Sequence, residues 1–150
     1  MILPGHIAAA YLATRITGAQ RSGGLAAAMF PDMVDKPIRW LLRWTPNDRI
    51  PAHSLLGWAL STLGARRFGG PRFARGWLVG YGAHLLCDEI NAHLNPGRIY
   101  FWWPFKRYHM HSGPTGLHSS LHDFSIASLL VEGLVTFLGL AFWLTNSRAR

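Results

Sequence analysis

Six residues of the types that bind metal ions lie in or beside apolar stretches of this chain. His84 and Asp88 are four residues apart in "GAHLLCDEI", which on an α-helix places both side chains on one face, one turn apart. The other four are His6, Asp32, Asp35 and His53. Isolated charges in apolar surroundings cost about 2.5–3.5 kcal/mol each, and a divalent cation would offset this cost. Imidazole and carboxylate ligands together favour Zn²⁺, with Mn²⁺ or Fe²⁺ as alternatives.

The elements that must position these six residues are predicted to be helices. Apolar runs and helix-stop residues predict segments at 5–16, 23–30, 36–44, 53–66, 73–93 and 119–146, with breaks at Pro31 and in "RRFGGPR". The predicted fold is an all-α, membrane-associated helical bundle of about five to six helices with short and broken segments, forming one domain over residues 1–150. If consecutive helices are antiparallel, the six candidate ligands meet at one end of the bundle. Arginines of the alternate turns, including Arg15, Arg66 and Arg75, meet at the other end.

The composition indicates a membrane protein. The chain has 15 basic and 7 acidic residues, a net charge of +8, and is 49% hydrophobic but only 15% charged, whereas soluble domains have about 25% charged residues. Residues 126–144 carry a single charge, Glu132, and are long enough to cross a bilayer core; the alternative is the buried central helix of a soluble bundle. In the aromatic and basic loop 98–116, residues 99–111 predict an interfacial belt that contacts membrane lipids at headgroup depth, or alternatively a segment that gates the site or binds a lipid. Because the positive charge is scattered between apolar runs, no nucleic-acid partner is expected.

Taken singly, these motifs have simpler explanations. His84 and Asp88 alone could form a hydrogen-bonded core pair, and "PDMVD" alone could be a turn and a helix cap. Arg49 is a candidate for binding phosphate, because its planar fork matches that geometry, or an arginine at the membrane interface. Cys87 is predicted to be a small core residue, and Asn91 to hydrogen-bond a ligand residue.

Two polar features of the last helix stand apart from the six residues. His118 and His122 are four residues apart with Asp123 beside them, and they predict either a third wall of the site or a pH-sensitive surface patch. Glu132, inside the apolar run, is predicted to face the bundle and to pair with an Arg, Ser or Thr side chain.

Five sequence segments follow one another between Pro4 and Phe105. In chain order they are "PGHIAAAYLA", "MFPDMVDKP", "RIPAHSLLG", "GYGAHLLCDEIN" and "NPGRIYFWWPF". In order and spacing they resemble the bacterial and archaeal membrane-bound metal-dependent hydrolases, described as LexA-binding, inner-membrane-associated hydrolases. The resemblance implies an integral protein of the cytoplasmic (inner) membrane. It implies metal ligands at His6, Asp32, Asp35, His53, His84 and Asp88. The chain departs from the family pattern at Asp48, where many relatives have a His, and in the spacing of "PDMVD", which leaves the role of Asp35 less secure.

The predicted function is hydrolysis of an ester or phosphoester by a water that one or two metal ions activate. Asp35 or Asp88 would act as the general base and Arg49 would bind the phosphate. A site near the headgroups suits a lipid or lipid-linked substrate, and the balance of loop charges predicts a site that faces away from the cytoplasm. The alternative is a non-catalytic membrane protein whose His/Asp site is structural or handles metal. The oligomeric state stays open.

Overall fold

The computed structural model describes residues 3–94, 100–109 and 125–147 of the chain. Its elements are α1 (Leu3–Thr17), α2 (Arg21–Pro37), a π-helical turn (Ile38–Leu42), α3 (Leu55–Leu94) and α4 (Ile126–Ser147). These ranges contain no strand, which confirms the all-α prediction. Four α-helices are slightly fewer than the five to six predicted, because two pairs of predicted segments are continuous: the π-helical turn extends α2, and one helix covers both sides of the predicted break in α3.

That break is nevertheless present, because α3 folds back on itself at Gly70. Gly70 has φ 80° and ψ 173°, a conformation that is essentially restricted to glycine. The indole N–H of Trp58 donates to the carbonyl of Leu78 at 3.1 Å, although 20 residues of straight α-helix would be about 30 Å long. The two halves of α3, residues 55–69 and 71–94, therefore lie side by side and antiparallel, and the second half returns to the level at which α3 begins.

The prediction that Pro31 ends a helix is wrong, because α2 continues through it to Pro37. A proline inside a helix removes one amide donor and disturbs the turn that precedes it. In that turn the carbonyl of Ala28 accepts a hydrogen bond from His84 Nδ1 at 2.7 Å, and Pro31 itself is fully buried. Packing against α3 thus compensates for the proline.

The backbones of α2 and α3 are in direct contact. A Cβ atom at Gly80 would overlap the carbonyl oxygen of Gly24, and one at Gly76 would overlap that of Gln20. Such close approach through small residues is common between helices in membranes. The core beside this contact is formed by Ala27, Tyr81 and Leu85, with Phe30, Trp58, Trp77 and Phe101 packed against them. The close contact is at the start of α2 and fixes this helix relative to the second half of α3.

Among the described residues, α4 is the one helix long and apolar enough to cross a membrane, and only 17% of its apolar window is buried. The core helix of a soluble bundle would be mostly buried, so this exposure favours the membrane alternative. The inner face of α4 is polar: Glu132 accepts a hydrogen bond from the Gly5 amide at 2.8 Å, and Ser128 Oγ donates to Asn91 Oδ1 at 2.6 Å. Glu132 therefore faces the bundle, as predicted, and this bond goes to a backbone amide of α1.

Candidate metal centre

His53 is positioned by the loop that leads into α3. Ser54 caps the helix, with its Oγ accepting from the amide of Gly57 at 3.0 Å. Just before this cap, the amides of Ala52 and His53 donate to the two carboxylate oxygens of Asp35 at 2.8 and 3.0 Å. His53 Nδ1 lies 2.7 Å from Asp35 Oδ2. Because a carboxylate accepts, Nδ1 donates to it, and the Nε2 atom of the ring points away from Asp35.

His84, on α3, is oriented in the same way, by a hydrogen bond from its Nδ1 atom. Its Nδ1 lies 2.7 Å from the carbonyl oxygen of Ala28, which can only accept, so Nδ1 again is the donor. Its Nε2 lies 3.1 Å from His53 Nε2. Histidines that bind metals commonly donate the other ring nitrogen to a carboxylate or a carbonyl, and both rings show this arrangement.

The remaining ligand candidates surround these two nitrogens. Asp88 Oδ2 lies 3.2 Å from His53 Nε2 and 3.5 Å from His84 Nε2, and Asp88 Oδ1 lies 3.3 Å from His6 Nε2. The His6 ring stacks on the His84 ring with centroids 3.8 Å apart. Asp32 Oδ1 lies 3.6 Å from His53 Nε2. Together with Asp35, all six residues singled out in the sequence meet at one place.

The spacing of these atoms suits a metal ion. Two ligand atoms bound to a tetrahedral Zn²⁺ at about 2.0–2.1 Å are about 3.3 Å apart, and the separations of the facing nitrogen and oxygen atoms run from 3.1 to 3.6 Å. Two sets of three have ligand atoms within 4.8 Å of one another: His6, His84 and Asp88, and Asp32, His53 and His84. The sets share His84, whose one free lone pair, on Nε2, can bind a single ion, so a second ion would depend on the other residues of the cluster.

The electrostatics of the cluster also suit a cation. Burial lowers the pKa of His6 to about 4, against the opposing effect of Asp88. Burial alone would lower the pKa of His53, but hydrogen bonds to Asp35 and Asp88 outweigh it and raise this pKa to about 9. Burial alone would raise the pKa of Asp88, yet the neighbouring histidines, His6 foremost, hold it well below its usual value. The Asp88 carboxylate is therefore kept anionic beside the imidazoles.

Within the described part of the chain, Asp32 is the ligand candidate through which the cluster is most exposed. Its side chain is 16% exposed, whereas those of the other five ligand candidates are at most 6% exposed. Lys36, one turn further along α2, places its Nζ 2.6 Å from Asp32 Oδ2 and is 34% exposed. Burial alone would raise the pKa of Asp32, but His53 and Lys36 lower it.

The sequence model of the YdjM inner membrane protein family matches residues 2–148 of the chain. The chain belongs to the YdjM inner membrane protein family. This confirms the inner-membrane part of the resemblance seen in the sequence, while hydrolysis and LexA binding stay predictions. No curated protein and no solved structure matches the chain.

In this YdjM family protein, the position of Asp35 differs from the one predicted. Both of its oxygens accept hydrogen bonds, one from the amide of Ala52 and the other from the amide and the Nδ1 of His53. It also belongs to neither set of three. The geometry therefore places Asp35 behind His53, where it orients the imidazole, and not among the atoms that converge.

Other predicted positions have mixed outcomes. Cys87 is buried, in agreement with a small core residue. Asn91 contacts Ser128 of α4, so it connects the second half of α3 to α4. Arg49 Nη1 is buried without an acceptor among the described residues, and Asp48 belongs to neither set of three.

The predicted cluster of His118, His122 and Asp123 lies outside the described residues, as do Arg148 and Arg150. In the loop predicted to contact lipids, the described part is residues 100–109. There Trp102 and Phe105 are 59% and 78% exposed, and contact of this loop with lipids stays a prediction.

Two contributors to the site are missing from the sequence prediction. One is the Ala28 carbonyl, which no side-chain pattern indicates because every residue has one. The other is Lys36, for which the four-residue spacing from Asp32 was an available indication.

Proposed function

We propose that this protein is a membrane-embedded metal-dependent hydrolase that cleaves an ester or phosphoester of a lipid or lipid-linked substrate. One observation carries the proposal: His53 and His84 direct their Nε2 atoms at each other while each Nδ1 is tied to an acceptor behind it. Two imidazoles packed in this way in an apolar bundle are well suited to a cation between them.

In this proposal the ligands come from His6, His53, His84, Asp32 and Asp88, with Zn²⁺ the first choice and Mn²⁺ or Fe²⁺ the alternatives. When bound, the ion supplies a water whose pKa is lowered to about 7. Asp35 keeps His53 in the orientation that leaves Nε2 available. Of the two predicted general bases, Asp88 is the one that faces the cluster, so the proposal gives it this role, through a carboxylate oxygen that the ion leaves free. Arg49 keeps the predicted role of binding a phosphate.

The alternative is a non-catalytic metal site, structural or for metal handling. The burial of His6, His53 and His84, each about 1% exposed or less, favours this alternative, because structural sites are closed. The opening at Asp32 favours catalysis, since a hydrolase needs a path for its substrate.

The test is hydrolysis by the detergent-purified full chain. Aryl phosphates, aryl esters and phospholipids are offered before chelator treatment, after it, and after Zn²⁺, Mn²⁺ or Fe²⁺ is restored. We expect activity that the chelator removes and a metal restores. Asp88→Asn should lower kcat by about a hundredfold or more, the usual size of a general-base contribution.

The matched control is Glu89→Gln, which makes the same chemical change at the next position of α3, on a side chain that is 38% exposed. It should keep wild-type activity. Hydrolysis that survives complete metal removal, or a folded Asp88→Asn variant with wild-type kcat, would overturn the proposal. Bound metal without hydrolysis of any substrate would favour the non-catalytic alternative.

A further inference from the structure

Lys36 is the cation at the opening of the cluster. Its Nζ donates to Asp32 Oδ2 at 2.6 Å, and Asp32 Oδ1 lies 3.6 Å from His53 Nε2. A single carboxylate therefore separates the ammonium from the converging imidazoles. Because the other ligand candidates are almost completely buried, Asp32 and Lys36 form the most exposed side of the cluster among the described residues.

The Lys36 ammonium has N–H donors beyond the one that bonds to Asp32. A lysine side chain carries three N–H donors, and among the described residues its one hydrogen-bond partner is Asp32. With its side chain 34% exposed, the ammonium can turn its other N–H groups to an incoming anion while it keeps the contact with Asp32. An ammonium is a strong point-charge donor to phosphate oxygens.

We propose that Lys36 binds the anionic group of the substrate, a phosphate monoester or diester, and so determines specificity for phosphoesters over uncharged esters. This inference rests on the proposed function, since it names the substrate class of the same site. The simpler explanation is an i,i+4 ion pair that only stabilises α2. Such a pair would affect stability but not the affinity for phosphate.

The experiment titrates the full chain in detergent with inorganic phosphate and, separately, with phosphatidic acid in mixed micelles, and follows heat release. Four proteins are compared: wild type, Lys36→Met, Lys36→Arg and Lys106→Met. Lys106→Met removes the same charge from an exposed lysine elsewhere, which lies 5.5 Å from the Tyr108 ring. Metal content and melting temperature are measured on each sample.

Lys36→Met should weaken phosphate binding about tenfold or more, the loss expected for one charge-assisted hydrogen bond. Lys36→Arg should stay within about threefold of wild type, because it keeps the charge and the donors. Lys106→Met should bind inorganic phosphate as wild type does, and this probe alone serves for the control, because Lys106 lies in the loop predicted to contact lipid headgroups. Tighter binding of phosphatidic acid than of inorganic phosphate would identify a lipid headgroup as the source of the anion, and equal binding would identify the free anion.

Wild-type affinity in a folded Lys36→Met protein with unchanged metal content would overturn the assignment, and so would a wild type that binds neither probe. The proposed hydrolase fails by a different result. Phosphate binding that depends on Lys36, in a protein without chelator-sensitive hydrolysis, would support the anion site at Lys36 and contradict the proposed hydrolase activity.

Discussion

At the scale of single residues, the hydrogen bond made by Nδ1 of each imidazole determines the orientation and the protonation of its Nε2 atom. His53 and His84 each use Nδ1 for a hydrogen bond of 2.7 Å, one to the Asp35 carboxylate and one to the Ala28 carbonyl. This fixes the ring orientation and the tautomer, so the Nε2 atoms are presented without rearrangement. A preorganised pair of this kind loses little conformational entropy when it binds a ligand.

The role given to Asp35 predicts the effect of Asp35→Asn. Asparagine has nearly the same shape, but its amide group would meet His53 Nδ1 as a donor, or leave one backbone amide of the loop without its acceptor. We expect metal affinity to fall about 10- to 100-fold, the usual cost of losing such a supporting contact, while the chain stays folded. Competition with a chelator of known affinity measures the change.

Asp48→Asn is the matched control, because Asp48 belongs to neither set of converging ligand atoms. It should leave metal affinity unchanged. If Asp35→Asn binds metal as tightly as wild type does, Asp35 does not orient His53 in the way described.

At this scale the sequence predicted which residues meet, but not what each one does. The four-residue spacing of His84 and Asp88 and the alternation of helix directions were sufficient to bring the six residues together. The position of Asp35 behind His53 was not predictable from the sequence. It depends on the path of the loop before α3, in which the amides of Ala52 and His53 donate to the carboxylate.

At the scale of helices, the contact between α2 and α3 holds the two halves of the site together. Asp32 and Asp35 come from the end of α2, and His84 and Asp88 from the second half of α3. The close approach of the two helices depends on glycine, because a Cβ at Gly80 would meet backbone atoms of Gly24. A larger residue there must push the helices apart.

Gly80→Ala should therefore lower the free energy of unfolding by about 1–3 kcal/mol, the usual cost of overpacking. Gly64→Ala is the control on the same helix, because a Cβ at Gly64 meets nothing within 4 Å, and it should be neutral or slightly stabilising, since alanine favours helix more than glycine does. Denaturant titration in detergent compares the two. Equal effects of the two substitutions would contradict the close contact.

The helix prediction succeeded or failed according to local chemistry. The break near Gly70 was readable from the two adjacent glycines and the proline that follow one another in "GGP". The end predicted at Pro31 was wrong, because α2 continues through this buried proline, where the neighbouring carbonyl of Ala28 is bonded to His84 of α3. Tertiary contacts of this kind are not visible in a local sequence pattern.

At the scale of the whole molecule, α4 joins an exposed apolar surface to the candidate site. It presents leucine and phenylalanine side chains outward, such as Leu134 at 58% and Phe137 at 66% exposure. On its inner face, Glu132 binds the amide that directly precedes His6, and Ser128 binds Asn91, one turn beyond Asp88. Membership in an inner membrane family fits this exposed apolar surface.

If α4 spans the bilayer, Leu134→Arg places a charge near the middle of the apolar run, at a cost of about 2.5–3.5 kcal/mol. We expect the fraction of protein that remains in membranes after alkaline extraction to fall. Thr145→Arg, at the end of the candidate span, should extract as wild type does, because an arginine there can reach the interface. Equal retention of both variants would argue against a spanning α4.

The central claim is that the converging histidines and aspartates hold a metal ion, and metal content per chain tests it most directly. Elemental analysis is applied to the purified wild type, to His84→Ala and to His93→Ala, a histidine on the same helix whose side chain is 73% exposed. We predict at least one divalent ion per chain in the wild type and in His93→Ala, and a loss of that ion in folded His84→Ala. A wild type without metal, or a folded His84→Ala protein with the wild-type metal content, would contradict the account.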